Sequence, residues 1–254
     1  MKKNLRTLAG IVLAVIFVIS VINYLRRKPA GPKPPPGGGG VVTGTPGALP
    51  EMRNKPEPVS TAFKGCPPEG DGGDPALNRL KNRVDEGNYL PVQFDAIEKL
   101  PWPPDVERRK RANWSASDTQ AVERYEGLPV AVEGYLANVK EEGPESPNCH
   151  GADHEFRDFH VWLVKSAGED RSQSIVVEVT PHGRDKHPAW SLDRLRQIVR
   201  SQQHVRIGGW LMLDPEHPDQ VGKTRGNIWE IHPIMKIEVE QRGKWVALDN
   251  LTGE

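Results

Sequence analysis

Four side chains able to bind a borderline metal, Cys149, His150, His154 and His160, fall within a stretch of twelve residues. Zinc takes nitrogen and sulfur ligands in a tetrahedron, at spacings that let each ligand turn toward one point. Here Cys149 and His150 are adjacent and diverge, and neither C-x2-C nor H-E-x-x-H is present. Zinc therefore stands beside a plainer reading with no cofactor, a polar loop in which Cys149 is free or paired with Cys66. An extracytoplasmic location would favour the Cys66–Cys149 disulfide. With two cysteines in all, a four-thiolate zinc site and a disulfide-dense framework are excluded.

A second group runs from Asp214 to His232 and includes Glu216, His217, Arg225, Trp229, Glu230 and His232. Asp214-Pro215 and Gly222 read as turn chemistry. A Glu–His pair does acid–base work only within hydrogen-bond reach. One function class is accordingly a metal-assisted hydrolase using His150, His160 and Glu178, or Glu216 and His217. The contrasting class is a binding module without catalytic residues, and a third is a structural cell-envelope protein.

The elements that position these groups follow from periodicity. Val130, Val132, Gly134 and Leu136 alternate with Ala131, Glu133 and Tyr135, the mark of a half-buried strand. Asp158–Val164 and Ser174–Thr180 predict two more strands, His204–Leu213 a fourth and Asn227–Val239 a fifth. Pro233 should bend or bulge the fifth or place it on an edge, and Gly208-Gly209 marks a tight coil or close backbone approach in the fourth. Between the third and fourth strands, Ser191 reads as an N-cap, followed by Leu192, Leu195, Ile198 and Val199 on one helical stripe. If Phe159, Leu163, Ile175, Val177 and Val179 point inward, then His160, Trp162 and Glu178 point outward, with Glu133 and Tyr135 at the same parity on the first strand. Such a face could stack and hydrogen-bond a ligand. Alternatively it is covered by residues 66–127, whose Phe94, Trp102 and Trp114 must be buried against something.

Strand, strand, strand, helix, strand, strand resembles the OB-fold, a five-stranded Greek-key barrel with one helix between strands 3 and 4. The resemblance covers Pro129 to about Glu240. Val205-Arg206-Ile207-Gly208-Gly209-Trp210-Leu211 and Trp229-Glu230-Ile231-His232-Pro233 are also similar to segments of uncharacterised bacterial OB-type domains, a likeness that carries no assigned activity. It implies a mainly β fold and places ligands on the face of strands 2 and 3 and on two loops. The ligand-binding residues so nominated are Tyr135, Asn148, His150, His160, Trp162, Glu178, Arg225, Trp229, Glu230 and His232. Some nucleases share this barrel, but their paired-Asp and Arg pattern is not recognisable here.

The rest of the 254 residues supplies an address. Residues 1–6 form a basic lead, and Thr7–Leu25 is an uncharged apolar run closed by Arg26, Arg27 and Lys28. About 17–25 apolar residues cross a bilayer. The run exceeds a signal-peptide core and lacks a small-residue cleavage site, so an uncleaved single-pass transmembrane helix is expected over 7–25. Residues 26–60 are Pro/Gly-rich and read as a disordered linker. Residues 61–127 form a helical or irregular flank, 128–240 the barrel and 241–254 a tail. In the flank, Asp74-Pro75 opens a short helix, Phe94, Ile97 and Leu100 share a helical face, and Ser117-Asp118 caps another helix. The net charge of zero hides a basic leading segment and an acidic remainder: residues 1–59 hold nine Lys/Arg and two Asp/Glu. An acidic folded part argues against double-stranded nucleic acid, which selects for surplus Lys/Arg. A protein or carbohydrate ligand, or a single strand held by stacking, is the expected partner, with the membrane as second partner and the barrel expected outside the cytoplasm.

Overall fold

The period-two segments do become strands, and they close on themselves. In the computed structural model, which describes residues 49, 50, 52 and 54–251, the helices are α1 (Pro75–Lys81), α2 (Phe94–Glu98), α3 (Ala116–Glu123), α4 (Pro181–Lys186) and α5 (Leu192–Ser201). The strands are β1 (Leu90–Val92), β2 (Pro129–Glu141), β3 (Phe159–Val164), β4 (Ile175–Val179), β5 (His204–Leu213), β6 (Trp229–Gln241) and β7 (Lys244–Ala247). The expected span 7–25 and most of the expected linker lie outside the described residues. Among the described residues no helix is long and apolar enough to cross a membrane.

Five strands form a closed barrel in the order β2-β3-β4-β6-β5, with β5 returning to pair with β2. All barrel pairings are antiparallel except β4 with β6. This arrangement is compatible with an OB-like fold. Closure removes the unpaired edges that an open sheet would expose. The interior is filled by the predicted parity, including Val161, Leu163, Val177, Ile207 and Ile231.

Between β4 and β5 there are two helices where one was expected. Thr180 caps α4 ahead of Pro181, and Ser191 caps α5, its Oγ accepting the Arg194 N–H at 3.2 Å. Leu195 and Ile198 of α5 are buried in the core cluster. The flank departs from expectation at two points. The cap of α3 is Ser115, which accepts the Asp118 N–H. The three residues of β1 add to β2 in parallel, too short a run and too Pro-interrupted to show alternation. The expected tail also contains β7, which pairs with the end of β6.

Pro233 has the effect that a strand proline must have. It cannot donate to the ladder, and β6 bulges there: Leu211 pairs with Ile231 while Gly209 pairs with Ile234. Gly209 is where backbones meet, since a Cβ on it would collide with the Pro233 carbonyl.

Candidate functional site

Strand register assembles a polar row on the outer wall of the barrel. His160 on β3 stands opposite Glu178 on β4. The parallel pairing of Val176 with Glu230 carries Glu178 to the side of His232, two residues further along each strand. All four therefore point away from the apolar interior and toward one another. His160 Nδ1 lies 3.2 Å from Glu142 Oε1 and 3.6 Å from Glu178 Oε1. Its ring stacks on Trp162, centroids 4.4 Å apart. His232 Nδ1 is 3.4 Å from Glu178 Oε2 and 3.4 Å from Glu230 Oε1.

Neighbouring loops complete the set. Asp158, just before β3, accepts the side-chain amide of Asn148 through Oδ2 at 3.1 Å. From the β5–β6 loop, Arg225 donates to Asp214 at 3.0 Å and to Glu230 at 3.1 Å. His217 pairs with Asp214 at 2.7 Å.

The wall is covered by the chain's own flank. Helix α1 is short and begins at the N-cap Asp74 with Pro75 in its first turn. It packs against β6 and the Ser146–Asn148 turn. Asn82 donates its amide to the Pro147 carbonyl at 2.8 Å, and Ser146 Oγ donates to Asn78 Oδ1 at 3.1 Å. Beside these bonds a disulfide joins Cys66 to Cys149, closing a separation of 83 residues. Beneath this cover Glu178 is 5% exposed, Asp158 2%, and Glu230 and His232 1% each. Lys81, at the end of α1, is buried with them and approaches Glu145 at 3.9 Å.

Sealing so many acids together has a visible electrostatic effect. Burial, with Glu145 nearby, pushes Asp158 up to about 8. Burial, with Glu230 nearby, pushes Glu178 well above the ordinary carboxylate range. Burial also lowers His232, so its imidazole is held neutral. Burial opposes the charge on Lys81, yet Glu145, Glu178, Asp214 and Glu230 outweigh it and raise the lysine. Several atoms at the centre have no hydrogen-bond partner among the described residues: Asp158 Oδ1, Glu178 Oε2, Glu230 Oε1 and both ring nitrogens of His232. One donor atom from each of Asp158, Glu178 and His232 lies within 4.8 Å of the other two.

Of the sequence-nominated residues, the structure brings His160, Trp162, Glu178, Arg225, Glu230, His232 and Asn148 into this buried region. Trp229 points the other way, into the barrel core. Tyr135 is separate and stacks on His204, centroids 5.0 Å apart, with Trp245 beyond it. The alternative metal group of Cys149, His150, His154 and His160 is not brought together: Cys149 pairs with Cys66 in the disulfide, His150 Nε2 meets the Asp71 carbonyl at 2.9 Å, and His154 pairs with Glu141. His217 likewise pairs with Asp214, while Glu216 contributes only its N–H to that carboxylate. Asp158, Asp214 and Lys81 were not singled out as site residues. Asp214 reads as turn chemistry, and Lys81 is one of two cations on a short helix. The outward parity of His160, Trp162 and Glu178 pointed toward the centre.

An open concavity of about 500 Å³ lies beside the buried wall, lined in part by Glu141, His154, Arg184, His187 and Trp190. No known protein family, curated protein or solved structure matches this chain.

Proposed function

We propose that this chain is a membrane-tethered binding module of the OB-like class, non-catalytic, with its barrel outside the cytoplasm. The observation that carries the reading is the Cys66–Cys149 disulfide, which fastens the flank over the polar wall. Disulfides of this kind persist in oxidising compartments. The apolar run Thr7–Leu25 and the Pro/Gly-rich segment after it supply a tether of suitable length and composition. The barrel order and the parallel β4–β6 pairing support the OB-like assignment.

Burial supports binding over hydrolysis. Of the groups able to do acid–base work, Glu178, Glu230 and His232 lie under the flank, where an external substrate does not reach them. Surfaces open to a protein or carbohydrate ligand include the 500 Å³ concavity at His154, Arg184 and Trp190 and the aromatic row Tyr135–His204–Trp245, over which Arg206 lies 4.7 Å from the Trp245 ring. Ring faces of this kind stack on sugars and bases alike, but the acidic folded part disfavours a nucleic-acid strand.

A reporter fused after Glu254, combined with rapid thiol alkylation in intact cells, tests the reading. An extracytoplasmic reporter signal and two blocked cysteines are expected. A cytoplasmic signal, or two freely alkylated thiols, would overturn it. Titration of the full chain with neutral oligosaccharides and with single-stranded DNA then separates the ligand classes.

A further inference from the structure

We propose that Asp158, Glu178 and His232, with Glu230 beside them, hold one divalent first-row transition-metal ion, zinc foremost, in a closed site on the outer wall of the barrel beneath the α1 flank. This stands independently of the binding reading and of membrane sidedness.

The geometry carries it. His232 is 1% exposed, yet neither ring nitrogen has a hydrogen-bond partner among the described residues. A buried polar atom left unpaired costs about 1–3 kcal/mol, and Asp158 Oδ1, Glu178 Oε2 and Glu230 Oε1 are unpaired beside His232. Carboxylate oxygens and one imidazole nitrogen are ligand atoms for a divalent ion, and one such atom from each of Asp158, Glu178 and His232 lies within 4.8 Å of the other two. Their spacing fits as well. Two ligands each ~2.1 Å from a tetrahedral ion stand ~3.4 Å apart. His232 Nδ1 lies 3.4 Å from Glu178 Oε2 and 3.4 Å from Glu230 Oε1, and in neither case is the contact a hydrogen bond.

Donor chemistry selects the ion. Magnesium and calcium take oxygen ligands and have no use for an imidazole, whereas zinc accepts nitrogen and carboxylate oxygen together. Charge points the same way. Arg225 and Lys81 are the buried cations here, and Arg225 already serves Asp214 and Glu230, while Lys81 is nearest Glu145. Asp158 and Glu178 are left as acids without a cationic partner of their own, and a 2+ ion would supply one. A cover over these donors describes a structural site, since catalytic zinc keeps a position open to water. The outer groups also match: Asn148 holds the second oxygen of Asp158 at 3.1 Å, and Arg225 holds the second oxygen of Glu230 at 3.1 Å.

The full chain, purified in detergent without chelator, is analysed for bound metal. It is then stripped with chelator and titrated with Zn2+ alone while thermal unfolding is followed. One zinc per chain is expected, with a Tm that falls on stripping and returns with the ion. Co2+ in its place should give visible absorption bands. Glu178→Gln and His232→Gln should each weaken zinc binding by more than the ~10–100-fold typical of losing a ligand's supporting partner. The proposal fails if the wild-type chain, disulfide intact, takes up no stoichiometric zinc and its Tm ignores the ion. It fails equally if both variants, with wild-type circular dichroism, bind zinc as the wild type does.

Discussion

Arg225 donates to Asp214 across the β5–β6 loop at 3.0 Å, with both side chains almost wholly buried. The other arm of the same guanidinium reaches Glu230, so one cation ties the loop to the barrel wall. Removing one partner of a buried pair leaves an uncompensated charge, which typically costs about 3–5 kcal/mol. Arg225→Ala should lower unfolding stability by that order in urea titrations. A loss below about 1 kcal/mol, the worth of an exposed pair, would contradict the burial described here.

The disulfide closes a separation of 83 residues and lies beside the Asn82–Pro147 bond. Long closed loops restrict the unfolded chain most, and losing such a bond costs about 2–5 kcal/mol. Cys66→Ser/Cys149→Ser should therefore unfold at lower denaturant. The amides of α1 should also exchange with solvent faster than those of β3 and β4, because the cover loosens before the barrel opens. Equal acceleration throughout would mean that the flank and barrel are one cooperative unit.

Two histidines should give opposite pH dependences. The hydrogen bond that His217 donates to the Asp214 carboxylate raises His217, so its stabilisation is complete below about pH 6.5 and is lost as pH rises through the raised value. Burial lowers His182, so its contribution is present above about pH 6.5 and is lost as pH falls toward the lowered value. Denaturant titrations from pH 5 to 8 on His217→Gln and His182→Gln should each remove one of these slopes. Identical pH profiles for both variants would refute the assignments.

Gly209 has no room for a side chain, because a Cβ there would meet the Pro233 carbonyl and the Ile231 side chain. Gly209→Ala should cost about 1–3 kcal/mol, the usual penalty of overpacking. Gly243→Ala is the control for a glycine with open space around it, although its φ of 75° adds its own smaller penalty. If the two variants prove equally stable, the close approach of β5 to the β6 bulge is absent.

The strands of the barrel were legible because alternation is local: Phe159, Val161 and Leu163 declare one face of β3 without reference to any partner. Ser191 was legible for the same reason, since an N-cap acts on the turn beside it. The outward placement of His160 and Glu178 follows from parity within each strand. What could not be read was that Glu178 stands beside His232. They are separated by 54 positions and meet only through the parallel register of β4 and β6. Neither β1 nor β7 is long enough to show a period of two.

Sequence alone determined the alternating strands, the capped helix before β5, the disruption at Pro233 and the apolar run near the start, because each depends on a few neighbouring residues and their intrinsic geometry. Tertiary structure decided which polar side chains share a centre and whether solvent reaches them. Barrel closure and strand register set the first. The second depends on α1 lying across the wall, held by Cys66–Cys149, and burial turns ordinary acids and an ordinary imidazole into a site only when distant segments of chain are brought together over them.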